Sequence, residues 1–398
     1  MNYKDKYVIL KKLEKIENCL SNEKINDIGL LTGNSSIALF IFYYFKFKNK
    51  VSDENKILNP VNKILEEINN GYNYHTFCTG IGGFGWSIEH LKQNIFFKNE
   101  DIEFLDDLDE YLYNKMITDI QTGNYDYLHG AIGNGIFFLS RLHKEQSKKY
   151  IVELINELEK QSIKEADGSV KWESVLDIEK GTRGYNLSLS HGLGSIIAFL
   201  SKVYKAEIYK EKVSELLKGS INYLLKNQLD FKNHGSYFPS WVCEGEPISR
   251  SRLAWCYGDL GISVALYLAG KATNNKEWEQ KAIEILLYSS NRRDIQKEYV
   301  VDAGLCHGAS GIAHIFNRMY INTGIEKFKE TSEYWFDITL KMATFEDGLA
   351  GYKAWHTEKY GGWVNEVGIL EGIAGIGLAL ISAVSDIEPK WDECLLLS

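Results

Sequence analysis

The segment Cys306-His307-Gly308-Ala309-Ser310-Gly311-Ile312 is one of seven related motifs, each of which opens an apolar run in this chain of 398 residues. A repeating unit at this scale is typical of repeat proteins, in which each unit buries its apolar face against its neighbours. The leading glycines of the seven motifs are spaced 47 to 66 residues apart: Gly33, Gly80, Gly130, Gly192, Gly258, Gly308 and Gly372.

Each repeat is predicted to be a pair of helices. An apolar helix follows each motif, as in residues 262–268, and a more amphipathic helix precedes the next one, as in 151–160 and 209–227. Glycines at the helix starts let neighbouring backbones approach closely, so 34 Gly and only 4 Pro are compatible with a helical protein. Seven such pairs favour an all-α fold, a closed α/α toroid of seven helix-pair repeats, over an open solenoid with exposed apolar ends.

The longer intervals between motifs are predicted to carry elaborations of the toroid. Residues 166–190, 230–253 and 344–367 are rich in Gly, Asn, Asp and aromatic residues and lack a helical period. We expect them to form loops and short β-hairpins on one rim, where their aromatic side chains would surround whatever the motifs enclose. Residues 1–398 are interpreted as a single domain.

Composition limits the classes of function. The chain is 44% hydrophobic and 25% charged with a net charge of −9, which excludes a disordered chain and argues against nucleic-acid binding. The N-terminal segment is predicted to be an amphipathic helix, and the apolar runs 37–45 and 368–384 are too short or too interrupted to span a membrane. Six widely spaced cysteines do not make a disulfide framework, so a cytoplasmic location is expected.

Cysteines and histidines concentrate just before the leading glycines. If the motifs are equivalent, these positions converge on the centre of the toroid. Cys256, Cys306 and His307 come from adjacent repeats, and two thiolates with one imidazole suit Zn²⁺ with an open fourth position. Buried core thiols are the alternative, and Cys78 is interpreted in that way. Six cysteines and histidines stand one or two residues before a leading glycine: Cys78, His129, His191, Cys256, Cys306 and His307.

Three segments of the chain resemble the lanthionine synthetase C-like family, the lantibiotic cyclases: residues 252–258, with Trp255-Cys256-Tyr257-Gly258, then Cys306-His307-Gly308, and residues 186–192. The resemblance covers the whole chain, although Ser195 stands where a second glycine is usual. It implies an α/α toroid that holds one Zn²⁺ per chain at Cys256, Cys306 and His307. It also implies an enzyme that adds peptide cysteine thiols to dehydroalanine or dehydrobutyrine of a dehydrated precursor peptide, forming (methyl)lanthionine thioether rings.

The resemblance further implies roles for four catalytic residues. His191 matches the acid/base histidine, and Asp126 matches an aspartate that orients or charge-balances it. Arg252 and Tyr257 match residues that stabilise the enolate oxygen or hold His191. Three of them have a structural alternative, namely a helix cap for His191, an N-cap for Asp126 and a rim ion pair for Arg252. The repeats also point His129 and Glu371 inward, without an assigned role.

Two other functions stay open at this point. One is a zinc-containing member of the same family that binds peptides or thiols without turnover. The other is an α/α-toroid glycosidase, which needs two facing carboxylates. The sequence does not identify the precursor, the order or stereochemistry of the rings or the oligomeric state. It also leaves open whether the enzyme works alone or in a complex with a dehydratase and an exporter, which would associate it with the membrane.

Overall fold

The computed structural model describes residues 3–49, 54–94, 96–97, 104–177 and 179–398. These residues form fifteen α-helices: α1 (Tyr3–Asn22), α2 (Asn34–Lys48), α3 (Glu54–Asn69), α4 (Ile81–Gln93), α5 (Leu105–Gln121), α6 (Ala131–Ser140), α7 (Glu145–Lys160), α8 (Leu193–Lys205), α9 (Lys210–Lys226), α10 (Phe231–His234), α11 (Asp259–Thr273), α12 (Lys276–Ser289), α13 (Ala309–Thr323), α14 (Glu326–Lys341) and α15 (Ile373–Val384). They also form seven short strands: β1 (Ile163–Lys164), β2 (Val170–Lys171), β3 (Ser174–Asp177), β4 (Thr182–Asn186), β5 (Trp241–Val242), β6 (Ala354–Trp355) and β7 (Trp363–Val364).

The seven leading glycines are the N-caps of seven apolar helices, as the sequence predicts. Helices α2, α4, α6, α8, α11, α13 and α15 each begin at the residue that follows one of these glycines. In α2, every residue from Asn34 to Tyr44 is buried. A helix that is apolar around its whole circumference must be enclosed by other elements, which is the position of an inner helix.

Close backbone contacts explain why glycine stands at these helix starts. Gly258 has a φ of +102°, and a Cβ there would lie 2.4 Å from the carbonyl oxygen of Arg252. A Cβ at Gly311 would lie 1.9 Å from the carbonyl oxygen of Leu305. The loop before each of these helices therefore folds back over the first helical turn, where no side chain fits.

One compact unit consists of Met1–Tyr74, Cys78–Phe97 and Arg293–Glu393. Its helices pack as the pairs α2/α3, α13/α14 and α15/α1, and α15 also contacts α13 and α2. Backbone hydrogen bonds join four of its motifs, because the amides of Cys306, Leu370 and Leu31 donate in turn to the carbonyls of Leu370, Leu31 and Cys78 over 2.7 Å, 3.0 Å and 3.0 Å. Strands β6 and β7 form an antiparallel hairpin in this unit.

The other unit consists of His75–Phe77, Lys98–Arg292 and Cys394–Ser398. Its helix pairs are α6/α7, α8/α9 and α11/α12, and α8 packs against both α6 and α11. Strands β3, β4 and β5 form an antiparallel sheet in that order, and β1 pairs with β2. The amide of Leu189 donates to the carbonyl of Cys256 over 3.1 Å, so two motifs are also joined here.

The elaborations lie where the sequence predicts them. Strands β2, β3, β4 and β5 fall within or beside residues 166–190 and 230–253, and the β6–β7 hairpin lies within 344–367. The amphipathic N-terminal helix is α1. The interpretation of residues 1–398 as a single domain stays a prediction. None of the described helices is long and apolar enough to cross a membrane.

Candidate functional site

Cys256, Cys306 and His307 form a group that can hold a metal ion. Their ligand atoms all lie within 4.8 Å of one another. Each residue lies one or two positions before an N-cap glycine, Cys256 ahead of α11 and the other two ahead of α13. Two thiols and an imidazole are the donors that Zn²⁺ prefers, and three protein ligands leave one coordination position for a substrate. The donor set therefore fits the predicted metal.

Two carboxylates flank the imidazole of His307. Its Nε2 lies 3.5 Å from Oδ2 of Asp302, and its Nδ1 lies 3.8 Å from Oε1 of Glu371. Asp302 is itself fixed, because its carboxylate accepts the amides of Gly304 and Trp355 over 3.0 Å and 2.9 Å. Burial raises the pKa of Asp302, but its contact with His307 and these amides holds that pKa below its usual value. When one ring nitrogen of a histidine binds a metal, a carboxylate at the other nitrogen orients the imidazole.

The sequence reasoning did not identify Asp302, although a signal for it exists. An Asp or Asn stands six residues before the leading glycine in several motifs, and its side chain accepts the amide two residues further on. Such an Asx turn shapes the loop before the helix. These contacts are Asp27 with Gly29 at 2.7 Å, Asn186 with Ser188 at 2.9 Å and Asp302 with Gly304 at 3.0 Å.

The structure assigns a partner to Glu371, which the repeats predicted to point inward. His356 Nε2 lies 2.8 Å from Oε2 of Glu371 and 3.7 Å from Oε1 of Glu366. His356 directly follows β6, so the hairpin brings it to the seventh motif. Burial raises the pKa of Glu366, and the charge of Glu371 adds to this increase. The sequence gives no period or motif that predicts the position of His356.

A second cluster is built around Asp126. Its Oδ2 lies 2.7 Å from Nδ1 of His191, and its Oδ1 accepts the backbone amide of His129 over 2.8 Å. The amide of His191 donates to Ser188 Oγ over 3.0 Å. One carboxylate therefore fixes the imidazole of His191 and the loop that carries His129. The structure brings together the two residues that the resemblance pairs.

The charges of this cluster favour a protonated His191. Burial lowers the pKa of His191, but the hydrogen bond to Asp126, its charge and that of Cys256 outweigh burial and raise this pKa above its usual value. Burial raises the pKa of Asp126, yet His191 keeps it below its usual value. Burial lowers the pKa of His129 because Asp126 only partly opposes it. The pKa values of the two histidines are therefore shifted in opposite directions from the usual value of a histidine.

The remaining predicted residues differ in their surroundings. The ring of Tyr257 lies 6.1 Å from that of His191, and its hydroxyl accepts from Nδ2 of Asn186 over 3.4 Å. The ring of His129 stacks on His191 at 6.2 Å with an interplanar angle of 18°. The side chain of Arg252 is partly buried, and its backbone carbonyl packs against Gly258.

A cavity of about 720 Å³ opens beside Asp126, His129, His191 and Tyr257. Strand β3 and the residues next to it form part of its wall, which also includes a 2.5 Å ion pair between Glu173 and Arg183. Two tryptophans complete the lining but differ in exposure. Trp172 is 3% exposed and donates its indole N–H to the carbonyl of Leu158, whereas Trp241 is 41% exposed. The predicted rim aromatics are therefore partly structural.

Comparison with known proteins shows the family. Residues 8–396 match the family model described as Lanthionine synthetase C-like protein, so the chain belongs to the lanthionine synthetase C-like family. One relative is the nisin biosynthesis protein NisC of Lactococcus lactis subsp. lactis, which is 26% identical over 422 residues that cover 98% of this chain and 95% of NisC. Another is glutathione S-transferase LANCL1 of Danio rerio, which is 26% identical over 314 residues, 77% of this chain and 73% of the relative.

A solved structure confirms the predicted fold. The structure of nisin cyclase aligns with a TM-score of 0.78 at 22% sequence identity, and the alignment covers 98% of this chain and 97% of that one. The protein therefore has the α/α toroid fold, mostly helical with a few short strands.

Proposed function

We propose that this protein is a zinc-dependent lantibiotic cyclase. It would add cysteine thiols of a dehydrated precursor peptide to dehydroalanine or dehydrobutyrine residues and form (methyl)lanthionine thioether rings. The observation that carries the proposal is the group of Cys256, Cys306 and His307, whose ligand atoms lie within 4.8 Å of one another. Membership of the family and the similarity to NisC support the same reaction.

The three ligands suit the first requirement of the reaction, a thiolate nucleophile. A free thiol has a pKa of about 8.5 and is mostly protonated at neutral pH. Zn²⁺ held by Cys256, Cys306 and His307 would supply the positive charge that favours the thiolate of the peptide cysteine. Two thiolates and a neutral imidazole together neutralise a divalent cation, so the metal with its three protein ligands would have no net charge.

The second requirement is the movement of one proton. The reaction forms a carbon–sulfur bond, the peptide thiol loses its proton, and the α-carbon of the former dehydroamino acid gains one. His191 is proposed to move this proton, and its hydrogen bond to Asp126 and the charges of Asp126 and Cys256 raise its pKa above the usual value in spite of burial. Because Asp126 engages Nδ1, the exchange with the substrate falls to Nε2 of His191.

Charge develops on the carbonyl oxygen of the enolate before the carbon is protonated. Tyr257 lies next to His191 and is proposed to stabilise that oxygen or to hold His191. Arg252 is proposed for the same task on the basis of the family resemblance. The cavity beside these residues, about 720 Å³ in volume, would receive the peptide segment that is being closed into a ring.

Zinc content tests the ligand assignment. Wild-type protein is expected to contain about one Zn²⁺ per chain by elemental mass spectrometry, and Cys256→Ala and Cys306→Ala should lose it while remaining folded. Cys243→Ala is the matched control, because this partly exposed cysteine lies outside the motifs and should leave zinc unchanged. Full zinc occupancy in both ligand variants would contradict the assignment. Zinc binding without any consumption of peptide thiol would instead indicate a non-catalytic binding protein.

A further inference from the structure

The C-terminal tail, Cys394–Ser398, belongs to the interior of the protein. Cys394 and Leu396 are fully buried, and Leu395 and Leu397 are almost so. Leu396 adopts a φ of +56°, a conformation that a leucine keeps only where its surroundings fix it. The last residue is also held, because Lys202 Nζ donates to the carbonyl of Ser398.

Two buried side chains donate hydrogen bonds to consecutive carbonyls of this tail. The hydroxyl of Tyr127 donates to the carbonyl of Cys394 over 2.6 Å, and the indole N–H of Trp255 donates to the carbonyl of Leu395 over 2.8 Å. Tyr127 is fully buried and Trp255 is 1% exposed. If the tail moved away, both of these hydrogen bonds from buried donors would be lost, which is costly.

The two donors are neighbours of the residues that carry the proposed chemistry. Tyr127 directly follows Asp126, which holds His191, and Trp255 directly precedes Cys256. The carbonyl of Cys256 in turn accepts the amide of Leu189, so this part of the backbone is fixed from two sides.

We propose that the C-terminal tail is a positioning element of the active site, which sets the place of Cys256 through Trp255 and that of Asp126 through Tyr127. The inference rests on the proposed function, since it takes Cys256 as a metal ligand and Asp126 as the partner of His191. Groups that orient metal ligands typically change metal affinity by 10- to 100-fold when they are replaced. A segment that only fills space would change the stability of the fold and not the affinity of the metal.

The test is the Zn²⁺ affinity of Trp255→Phe, measured by competition with a chromophoric chelator, together with its melting temperature. We expect a loss of roughly 10- to 100-fold in affinity. Trp172→Phe is the matched control, because Trp172 also donates a buried indole N–H to a backbone carbonyl over 2.8 Å, but its acceptor is Leu158 and not the tail. It should lower the melting temperature and leave the Zn²⁺ affinity unchanged.

The outcomes separate the inference from the proposed function. Equal Zn²⁺ affinity in wild type and Trp255→Phe would overturn the positioning role and leave the proposed function intact. A wild-type protein that binds no Zn²⁺ would overturn both. If Trp255→Phe does not fold, the test is hydrogen exchange of wild type with and without Zn²⁺. A tail that favours Zn²⁺ binding must itself be stabilised by Zn²⁺, because coupling between two sites is reciprocal, so Zn²⁺ should slow exchange at residues 394–398. Unchanged exchange there would overturn the inference.

Discussion

The Nδ1 atom of His191 lies 2.7 Å from Oδ2 of Asp126, and the second oxygen of the same carboxylate accepts the amide of His129. A single aspartate therefore sets both the orientation of one imidazole and the path of the loop that carries another. In the proposed mechanism two tasks are separated at the candidate site. Cys256, Cys306 and His307 would bind the metal, and the pair of His191 and Asp126 would move the proton.

Replacement of His191 by alanine tests this separation. Because His191 is not one of the proposed ligands, His191→Ala should keep about one Zn²⁺ per chain. It should slow cyclisation by the roughly 10²- to 10⁴-fold that is typical of a lost general acid or base. Zinc content and single-turnover consumption of thiol on the same sample check both expectations. Loss of zinc would make His191 a ligand, and unchanged turnover would remove it from the mechanism.

The pH dependence of cyclisation reports the environment of His191. Its pKa is raised because Asp126 outweighs the effect of burial, and Cys256 contributes in the same direction. In Asp126→Asn the negative charge of residue 126 is lost while burial remains, so the pKa of His191 should fall.

If neutral His191 accepts the proton, the rate rises with pH through that pKa, and the acidic limb of the profile should move to lower pH in Asp126→Asn. The variant should also be slower than wild type, by less than His191→Ala, because the imidazole itself remains. Rates of ring closure between pH 5 and pH 8 measure the shift. An acidic limb that stays in place, or moves to higher pH, would contradict the assignment of that limb to His191.

Replacement of Trp241 tests the expectation that the rim aromatics form the entrance for the peptide. Trp241 is 41% exposed and lines the cavity, so Trp241→Ala should weaken binding of a dehydrated peptide without changing zinc content. Tyr299→Ala is the control, since this exposed aromatic side chain lies outside the predicted rim segments. Fluorescence anisotropy with a labelled peptide measures both. Unchanged affinity after replacement of Trp241, and also of Trp355 and Trp363 in the β6–β7 hairpin, would place the entrance elsewhere.

A buried ion pair predicts how stability depends on acid. Asp392 Oδ2 lies 2.8 Å from His314 Nε2, and its Oδ1 accepts from Arg318 over 2.8 Å. Burial raises the pKa of Asp392, but His314 and Arg318 outweigh burial and lower it to about 2. A depressed carboxyl pKa stabilises the fold above the pKa of the unfolded chain, near 3.9, and this contribution is lost as the pH falls towards about 2.

Asp392→Asn should therefore lower the free energy of unfolding at pH 7 by about 3–5 kcal/mol, the typical cost of breaking a buried pair. The difference from wild type should shrink between pH 4 and pH 2. Urea unfolding of both proteins at each pH is the measurement. A difference that stays constant down to pH 2 would contradict a lower pKa for Asp392 in the folded protein than in the unfolded chain.

The helical framework could be predicted because a local rule produced it. A glycine whose Cβ would collide with the preceding loop recurs at the starts of six inner helices, as Gly258 and Gly308 show, and the motif therefore marks these helices in the sequence. The same periodicity predicts that Cys256, Cys306 and His307 converge, because they stand one or two residues before leading glycines. The strands could be placed only approximately, since two-residue strands such as β6 carry no period.

Other contacts depend on tertiary structure that no local pattern encodes. The pairing of His356 with Glu371 requires the β6–β7 hairpin to fold over the seventh motif. The hydrogen bond from Tyr127 to the carbonyl of Cys394 joins residues far apart in the chain, and neither residue type predicts it. The burial of Trp172 likewise depends on the acceptor that Leu158 provides, so exposure of a rim aromatic cannot be inferred from its position in the sequence.

The activity proposed for this protein is the formation of thioether rings at the site of Cys256, Cys306 and His307. Its most direct test incubates the zinc-loaded protein with a dehydrated precursor peptide that carries dehydroalanine and cysteine, then alkylates the remaining thiols and measures the peptide mass. Wild type should give peptide of unchanged mass that resists alkylation, whereas Cys256→Ala and the enzyme-free sample should give alkylated peptide. If peptide incubated with zinc-loaded wild type, and shown to bind it, were alkylated as fully as peptide without enzyme, the proposed activity would be contradicted.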